Sequence, residues 1–249
     1  MPGCYLQPNF AKLVDPSSVK VIVEAGSRDC LDAIALHKAY GVKVYAFECN
    51  PFAIKICKDN LQKYNISTDQ VELIEAALFD KKDRLDFYPV IKTEGAEKYK
   101  DHPDFFITKE GTSANIGASS LFKINKDYQK TKYRNERYHQ QTEEPIKVDA
   151  VRLDEFMEER GLDSVDLLCM DIQGAELMAL RGLGNKLQSC KWIFTELCTS
   201  VEKNGKIIEN YENQGNINTV FRLLEQSGFK HVLGNPNRFS HHDFAFVKT

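Results

Sequence analysis

Apolar and polar positions change rhythm several times along the chain, and each change marks an element. Val19-Lys20-Val21-Ile22-Val23-Glu24 is a short β-rich run closed by Ala25-Gly26, and the stretch from Asp29 to Tyr40 is compatible with a helix. Val42-Lys43-Val44-Tyr45-Ala46-Phe47-Glu48 reads as a second strand. Cys49-Asn50-Pro51 then places a proline in the first turn of a helix running to Tyr64. Val71-Glu72-Leu73-Ile74-Glu75-Ala76 is a third strand. Three strands separated by two helices within about 60 residues predict parallel pairing, because parallel neighbours require a crossover of a dozen or more residues.

From Val90 to Lys147 the chain is polar, rich in Lys, Tyr, Glu and Asn, and shows little sustained period. This stretch, residues 90–147, reads as an insertion or lid: either a solvated excursion or a segment that covers substrate, since long loops in compact domains are commonly functional or disordered. Inside it, Gly117-Ala118-Ser119-Ser120-Leu121 combines small residues with two hydroxyls, which lets backbone approach a ligand closely. The α/β rhythm resumes with a strand at Lys147–Arg152, a helix over Leu153–Glu159 and the apolar strand Val165–Met170 ending at Asp171. A helix at Gly174–Arg181, a strand at Trp192–Leu197, a helix at Ile217–Ser227 stopped by Gly228, and closing strands at His231–Leu233 and Phe244–Val247 complete the pattern.

Composition narrows the classes. With 249 residues, 42% of them hydrophobic, the chain can build one large α/β core; residues 1–249 are read as a single domain preceded by an extension over 1–18. A net charge of −3 supplies no global positive field toward nucleic acid or anionic membrane. The seven cysteines are scattered, with no CxxC or Cys/His cluster at zinc spacing, so free thiols in a reducing compartment are expected and no metal site is read. No secretory signal and no membrane-length apolar segment is seen, and a cytoplasmic protein is expected.

Candidate chemistry gathers where strands end. Glu24-Ala25-Gly26-Ser27 closes the first strand with a glycine that permits close backbone approach, followed by a helix N-terminus offering free N–H groups. A tight turn without any ligand fits these residues equally well. A dinucleotide fingerprint would want further glycines, yet Arg28 and Cys30 stand there, which disfavours NAD and FAD. Glu48 follows Glu24 by 24 positions at the end of the second strand, where an acceptor-only carboxylate suits the two hydroxyls of a nucleoside ribose. After the third strand, Ala76 and Ala77 are small enough to admit an adenine ring, with Leu78 or Phe79 flanking it or simply packing in the core. Asp171-Ile172-Gln173-Gly174-Ala175-Glu176 and Glu196 place carboxyls at the carboxyl edge of the sheet, the edge at which open α/β sheets bind ligands. A structural ion pair is the alternative for each carboxyl. His241-His242-Asp243 reads as a turn rather than a general base, since adjacent residues on an extended segment face opposite ways.

The ordered set Val21–Gly26, Val44–Pro51, Val151-Arg152-Leu153-Asp154, Asp166–Glu176 and Leu180-Arg181-Gly182 resembles the FkbM family of O-methyltransferases over about Val19 to Val247. Gly117–Leu121 is similar to that family's Ser-Ser-Leu segment. The resemblance implies a Rossmann-like class I methyltransferase fold with a mostly parallel seven-stranded sheet, helices on both faces, and S-adenosylmethionine as cofactor. It places Glu24, Gly26 and Glu48 at that cofactor, Ser119 and Ser120 near cofactor or acceptor, and the Asp171 segment along the methyl-transfer cleft; Ser27, Asn50, Ala76, Ala77, Ser119, Ser120 and Asp171 are expected as further cofactor contacts. Three departures stand out: Glu24 replaces the usual aspartate, Cys30 stands where glycine is common, and Gln173 replaces an acid.

The expected reaction is methyl transfer to a hydroxyl of a sugar, glycan or other small polyhydroxylated acceptor, with Asp171 as first candidate for the base and Glu196 behind it. An RNA methyltransferase using the basic run Lys123, Lys126, Lys130, Lys132, Arg134 and Arg137, and a module that binds cofactor without turnover, are the competing readings. Neither nucleic acid nor membrane is expected as a partner.

Overall fold

The computed structural model describes residues 4–94, 105–107, 112–132, 138–198, 200–235 and 242–249. In chain order the strands are β1 Ile22–Ala25, β2 Val44–Phe47, β3 Val71–Ile74, β4 Ala77–Leu78, β5 Asp83–Phe87, β6 Val90–Thr93, β7 Phe105–Ile107 and β8 Ser113–Asn115. They continue as β9 His139–Gln141, β10 Ile146–Val151, β11 Val165–Met170, β12 Cys190–Leu197, β13 Ser200–Lys203, β14 Lys206–Glu209, β15 Phe229–Leu233 and β16 His242–Lys248. The α-helices are α1 Pro8–Ala11, α2 Leu31–Tyr40, α3 Pro51–Lys63, α4 Lys126–Lys132, α5 Leu153–Glu159, α6 Glu176–Arg181 and α7 Ile217–Gln226.

Seven strands form one sheet in the order β15-β16-β12-β11-β1-β2-β3. β1 pairs in parallel with β2 and β11, β2 with β3, and β11 with β12, whereas β16 runs antiparallel to both β12 and β15. The period-2 alternation of a strand sends neighbouring side chains to opposite faces. Val23, Tyr45, Phe47 and Leu168 accordingly pack with α5, α6 and α7 on one face. Ile22, Val44, Ala46 and Leu167 pack with α1, α2 and α3 on the other. Both faces are covered, which is why the central strands read as continuous apolar runs.

Local signals set the helix ends. Asn50 caps α3, its side-chain oxygen accepting from the Phe52 N–H at 3.1 Å, with Pro51 at the first helical position. Gly41 closes α2 in the left-handed region at φ 69°. Two expected helices begin later than their sequence pattern. The first starts at Leu31 because Cys30 is left-handed (φ 59°), and the second at Glu176 because Gln173 and Gly174 are left-handed (φ 51° and 100°). The strand expected at Lys147–Arg152 forms, but in a separate three-stranded sheet ordered β4-β10-β5, since the chain leaves the main sheet after Ile74. Within 90–147 the described residues form the antiparallel pairs β6–β9 and β7–β8 and helix α4, regular structure that the polar sequence did not advertise.

A candidate active site at the carboxyl edge of the sheet

A cavity of about 680 Å³ opens where β1, β2, β11 and β12 end. Of the residues singled out from the sequence, these line it: Glu24, Gly26, Ser27, Glu48, Asn50, Ala76 and Ala77 from the first half of the sheet, Asp171 and Glu196 from the second, and Ser119 and Ser120 from the insertion. Tyr5 and Gln7 from the N-terminal segment also reach it. Strand order places β3, β2 and β1 on one side and β11, β12 and β16 on the other, so the cavity has two chemically distinct halves. With neighbouring strands about 4.8 Å apart, the ends of β2 and β12 are separated by roughly 14 Å.

In the first half, Glu48 is held by backbone. Its Oε1 accepts from the N–H groups of Cys49 at 2.8 Å and Asn50 at 2.7 Å, and its Oε2 accepts from the Arg28 N–H at 2.8 Å. Burial raises the Glu48 carboxyl above the usual range while these three bonds and the Arg28 charge oppose the shift. Oε1 has both lone pairs committed, which leaves an acceptor position on Oε2 for a ligand hydroxyl. Glu24 is buried and accepts from the Ser27 hydroxyl. Burial pushes its carboxyl well above the usual range, and the neighbouring acids Asp32, Asp29 and Glu48 add to the shift. Gly26 adopts φ 86°, and a Cβ there would lie 1.9 Å from the Asp171 carbonyl oxygen. The glycine is therefore demanded by the neighbouring loop. Of the two residues expected beside adenine, Leu78 lines the cavity while belonging to the core.

Ser119 and Ser120 serve the insertion. Ser119 Oγ accepts from the Val90 N–H at 2.9 Å, and Ser120 Oγ donates to the Gln173 carbonyl at 2.7 Å while accepting from the Phe122 N–H at 3.0 Å. Their hydroxyls fasten 90–147 to the sheet edge. Phe79 does not appear in the cavity wall, and Asn50 spends its side-chain oxygen on α3.

The second half is dense in carboxyls. Glu176 folds back from α6 to accept from the N–H groups of Ile172 at 3.2 Å and Gly174 at 3.0 Å, fixing the loop after β11. Burial pushes it up to about 7, helped by the negative charge of Asp171. Glu196 is likewise pushed up to about 7, by burial first and then by Asp243 and Glu176; hydrogen bonds with Asp171 and Gln173 oppose the shift. Gln173 Nε2 donates to Asp171 Oδ1 at 2.6 Å and to Glu196 Oε2 at 3.1 Å, while Gln173 Oε1 accepts from the Tyr211 hydroxyl at 2.7 Å.

Sequence reasoning missed Tyr211, Asn210 and His139, all in the cavity wall. His139 Nδ1 lies 3.0 Å from Thr93 Oγ1, which accepts from the Asn115 N–H at 3.0 Å. No local pattern marks them, because each arrives on a segment whose path is set by long-range contacts. Asp243 does line the cavity, beside its strand partner Glu196; of its two histidine neighbours, His241 lies outside the described residues. Arg134 and Arg137 of the basic run also lie outside them, and Lys123 Nζ stands 5.4 Å from the centre of the Tyr88 ring.

A sheet of this order, with its single antiparallel strand next to the edge and a cavity at its carboxyl ends, has the Rossmann-like fold of class I methyltransferases. The family model "Methyltransferase FkbM domain" matches residues 22–231, and the chain belongs to that family of S-adenosylmethionine-dependent methyltransferases. It is 28% identical over 205 residues to 2-O-methyltransferase NoeI of Sinorhizobium fredii, covering 82% of this chain and 70% of the relative. It is 26% identical over 218 residues to Methyltransferase 1 of Beauveria bassiana, covering 87% and 74%. The solved structure of Methyltransferase FkbM from Methylobacillus flagellatus superposes with a TM-score of 0.51 at 9% identity over 97% of this chain, a likeness of fold. The chain spans 47% of that structure's length.

Proposed function

We propose that the chain transfers the methyl group of S-adenosylmethionine to a hydroxyl oxygen of a sugar, glycan or other small polyhydroxylated acceptor. The observation that carries this reading is the carboxyl-lined half of the cavity, where Asp171, Glu196 and Asp243 converge. Carboxyls bond well to vicinal hydroxyls and repel phosphate, so the wall favours a neutral acceptor over a polyanion such as RNA. The 2-O-methyltransferase named among the relatives supports the same acceptor chemistry.

In this reading Glu48 offers its remaining Oε2 position to the ribose, Ala76 and Ala77 leave space for adenine, and Gly26 with Ser27 borders the rest of the cofactor. When bound, the cofactor supplies an electrophilic methyl on sulfonium. Asp171, as a carboxylate, takes the proton of the acceptor hydroxyl while that oxygen bonds to carbon; the electron pair of the broken carbon–sulfur bond leaves with sulfur. Held proximity contributes on the order of 7–11 kcal/mol to such displacements, so orientation by Asp171, Glu196 and the insertion carries much of the rate. The extension and the insertion wall the same cavity as the sheet, which supports treating residues 1–249 as one catalytic unit.

The test is incubation of the full chain with methyl-¹³C-labelled S-adenosylmethionine and, in parallel, monosaccharides, oligosaccharides and RNA, read by mass spectrometry and ¹³C NMR. A labelled methyl ether on a sugar supports the proposal. Label appearing in RNA alone overturns the acceptor class.

A further inference from the structure

We propose that Gln173, clamped by Tyr211, is a positioning residue that binds Asp171 and Glu196 into a carboxyl pair sharing one proton, so that one carboxylate of the pair stays ionised as the base while the other holds the proton. The inference rests on the methyltransferase reading for its purpose, but the pair itself stands on geometry.

Two carboxyls in direct hydrogen-bond contact cannot both be ionised without strong repulsion, and Glu196 makes such a bond with Asp171. Further acids face Glu196 and oppose its ionisation, whereas its hydrogen bond with Asp171 favours it, so the proton belongs to the pair. Asp243 lies opposite it on β16, Glu176 faces it from the start of α6, and Asp171 from the loop after β11; Cys198 is the nearby thiol on its own chain segment.

Gln173 completes the arrangement. Its amide nitrogen has two hydrogens, and they go to one oxygen of each carboxyl, at 2.6 and 3.1 Å. The amide oxygen lies 2.7 Å from the hydroxyl of Tyr211, 38 positions away, whose single hydrogen it shares with the Ala118 carbonyl at 3.0 Å, and the donor face is turned toward the acids. The backbone of Gln173 is left-handed (φ 51°), a conformation disfavoured for a non-glycine residue. Ser120 holds its carbonyl at 2.7 Å. Strain kept at a position whose side chain makes these bonds points to a role in the site. A glutamate at 173 would put a third acid into the cluster and remove the donor. The departure from the family's acid is in this view a device that keeps the pair at one proton.

The pair can be read without knowing the acceptor. The full chain is labelled with ¹³C at Asp and Glu side-chain carboxyls, resonances of the pair are assigned with Asp171→Asn and Glu196→Gln, and both are titrated by NMR. Wild type should show the pair giving up one proton near neutrality and the other well below it. Gln173→Glu should raise the upper midpoint of the pair by about one pH unit or more, and Tyr211→Phe, which removes a single hydroxyl, by roughly half a unit. S-adenosylhomocysteine affinity of Tyr211→Phe should stay within about twofold of wild type, because the change is confined to the acceptor half. Equal midpoints in wild type and Tyr211→Phe, or two wild-type carboxyls that both titrate below about pH 5, overturn the proposal. A wild type that titrates as one-proton pair but binds no S-adenosylhomocysteine would sink the functional reading and leave the pair standing.

Discussion

Gly26 and Asp171 approach so closely that a single added carbon on Gly26 would sit 1.9 Å from the Asp171 carbonyl oxygen. The turn after β1 and the turn after β11 are thus one packed unit, tied further by the Asp171 N–H donating to the Ala25 carbonyl at 3.0 Å. Gly26→Ala must move the backbone that carries the candidate base, and it also meets the left-handed penalty at φ 86°. We expect a loss of at least about 2 kcal/mol of stability together with weakened S-adenosylhomocysteine binding. Urea unfolding and calorimetry check it; a variant with wild-type midpoint and affinity would show that the turn yields freely.

Glu48 makes a separate prediction for the cofactor half. Glu48→Ala removes an acceptor that three N–H groups hold in place, and with it a bond between a charged group and a ligand hydroxyl. Such bonds contribute about 1.5–3 kcal/mol, so titration calorimetry should find S-adenosylhomocysteine bound about 10- to 100-fold more weakly. Affinity within twofold of wild type would remove Glu48 from the cofactor site.

The two halves of the site were unequally legible in the sequence. Apolar runs revealed β1, β2, β3, β11 and β12, and because ligands of open α/β sheets collect where parallel strands end, Glu24, Glu48, Asp171 and Glu196 followed from the strand boundaries. Tyr211 did not, since its hydroxyl reaches Gln173 across 38 positions and nothing near it in the chain is periodic. The β13–β14 hairpin and the strands within 90–147 were hidden for a related reason: short antiparallel ribbons with exposed polar faces carry too few apolar positions to set a period. Ser119 and Ser120 were visible as hydroxyls, but their partners Val90, Phe122 and Gln173 came only with the fold.

Cys30 offers a test of how a family glycine is replaced. It is fully buried with φ 59°, and its N–H donates to the Ser27 carbonyl at 2.8 Å. Cys30→Gly relieves left-handed strain of about 1 kcal/mol but loses thiol packing and gains unfolded-state freedom of about 0.4–1 kcal/mol. Strain and freedom nearly cancel, which leaves the lost packing of the buried thiol, so Cys30→Gly should be destabilised by about 1 kcal/mol. Cys30→Val puts a branched side chain into the same backbone and should destabilise more strongly. Thermal unfolding of the two variants side by side decides the matter: a valine variant as stable as the glycine variant would mean that the backbone at 30 is not strained.

Glu176 and Glu196 give stability a definite pH dependence. Both are pushed up to about 7 in the folded chain from an ordinary value of 4.5. Between those limits the folded chain holds more protons than the unfolded chain, so the slope of unfolding free energy against pH is negative. The contribution is fully present below about pH 4.5 and is lost as pH rises through about 7. Ligand-free protein should therefore melt at a higher temperature at about pH 6 than at about pH 8. Glu176→Gln cannot titrate, and its amide oxygen can still accept from Gly174, so the variant should lose part of that slope, at most about 1.4 kcal/mol per pH unit for one group. Chemical unfolding of both proteins at several pH values separates this effect from any general loss of stability, which would shift the curve without changing its slope. Parallel curves for wild type and Glu176→Gln would mean that Glu176 is ionised in the folded chain, with the N–H groups of Ile172 and Gly174 outweighing its burial.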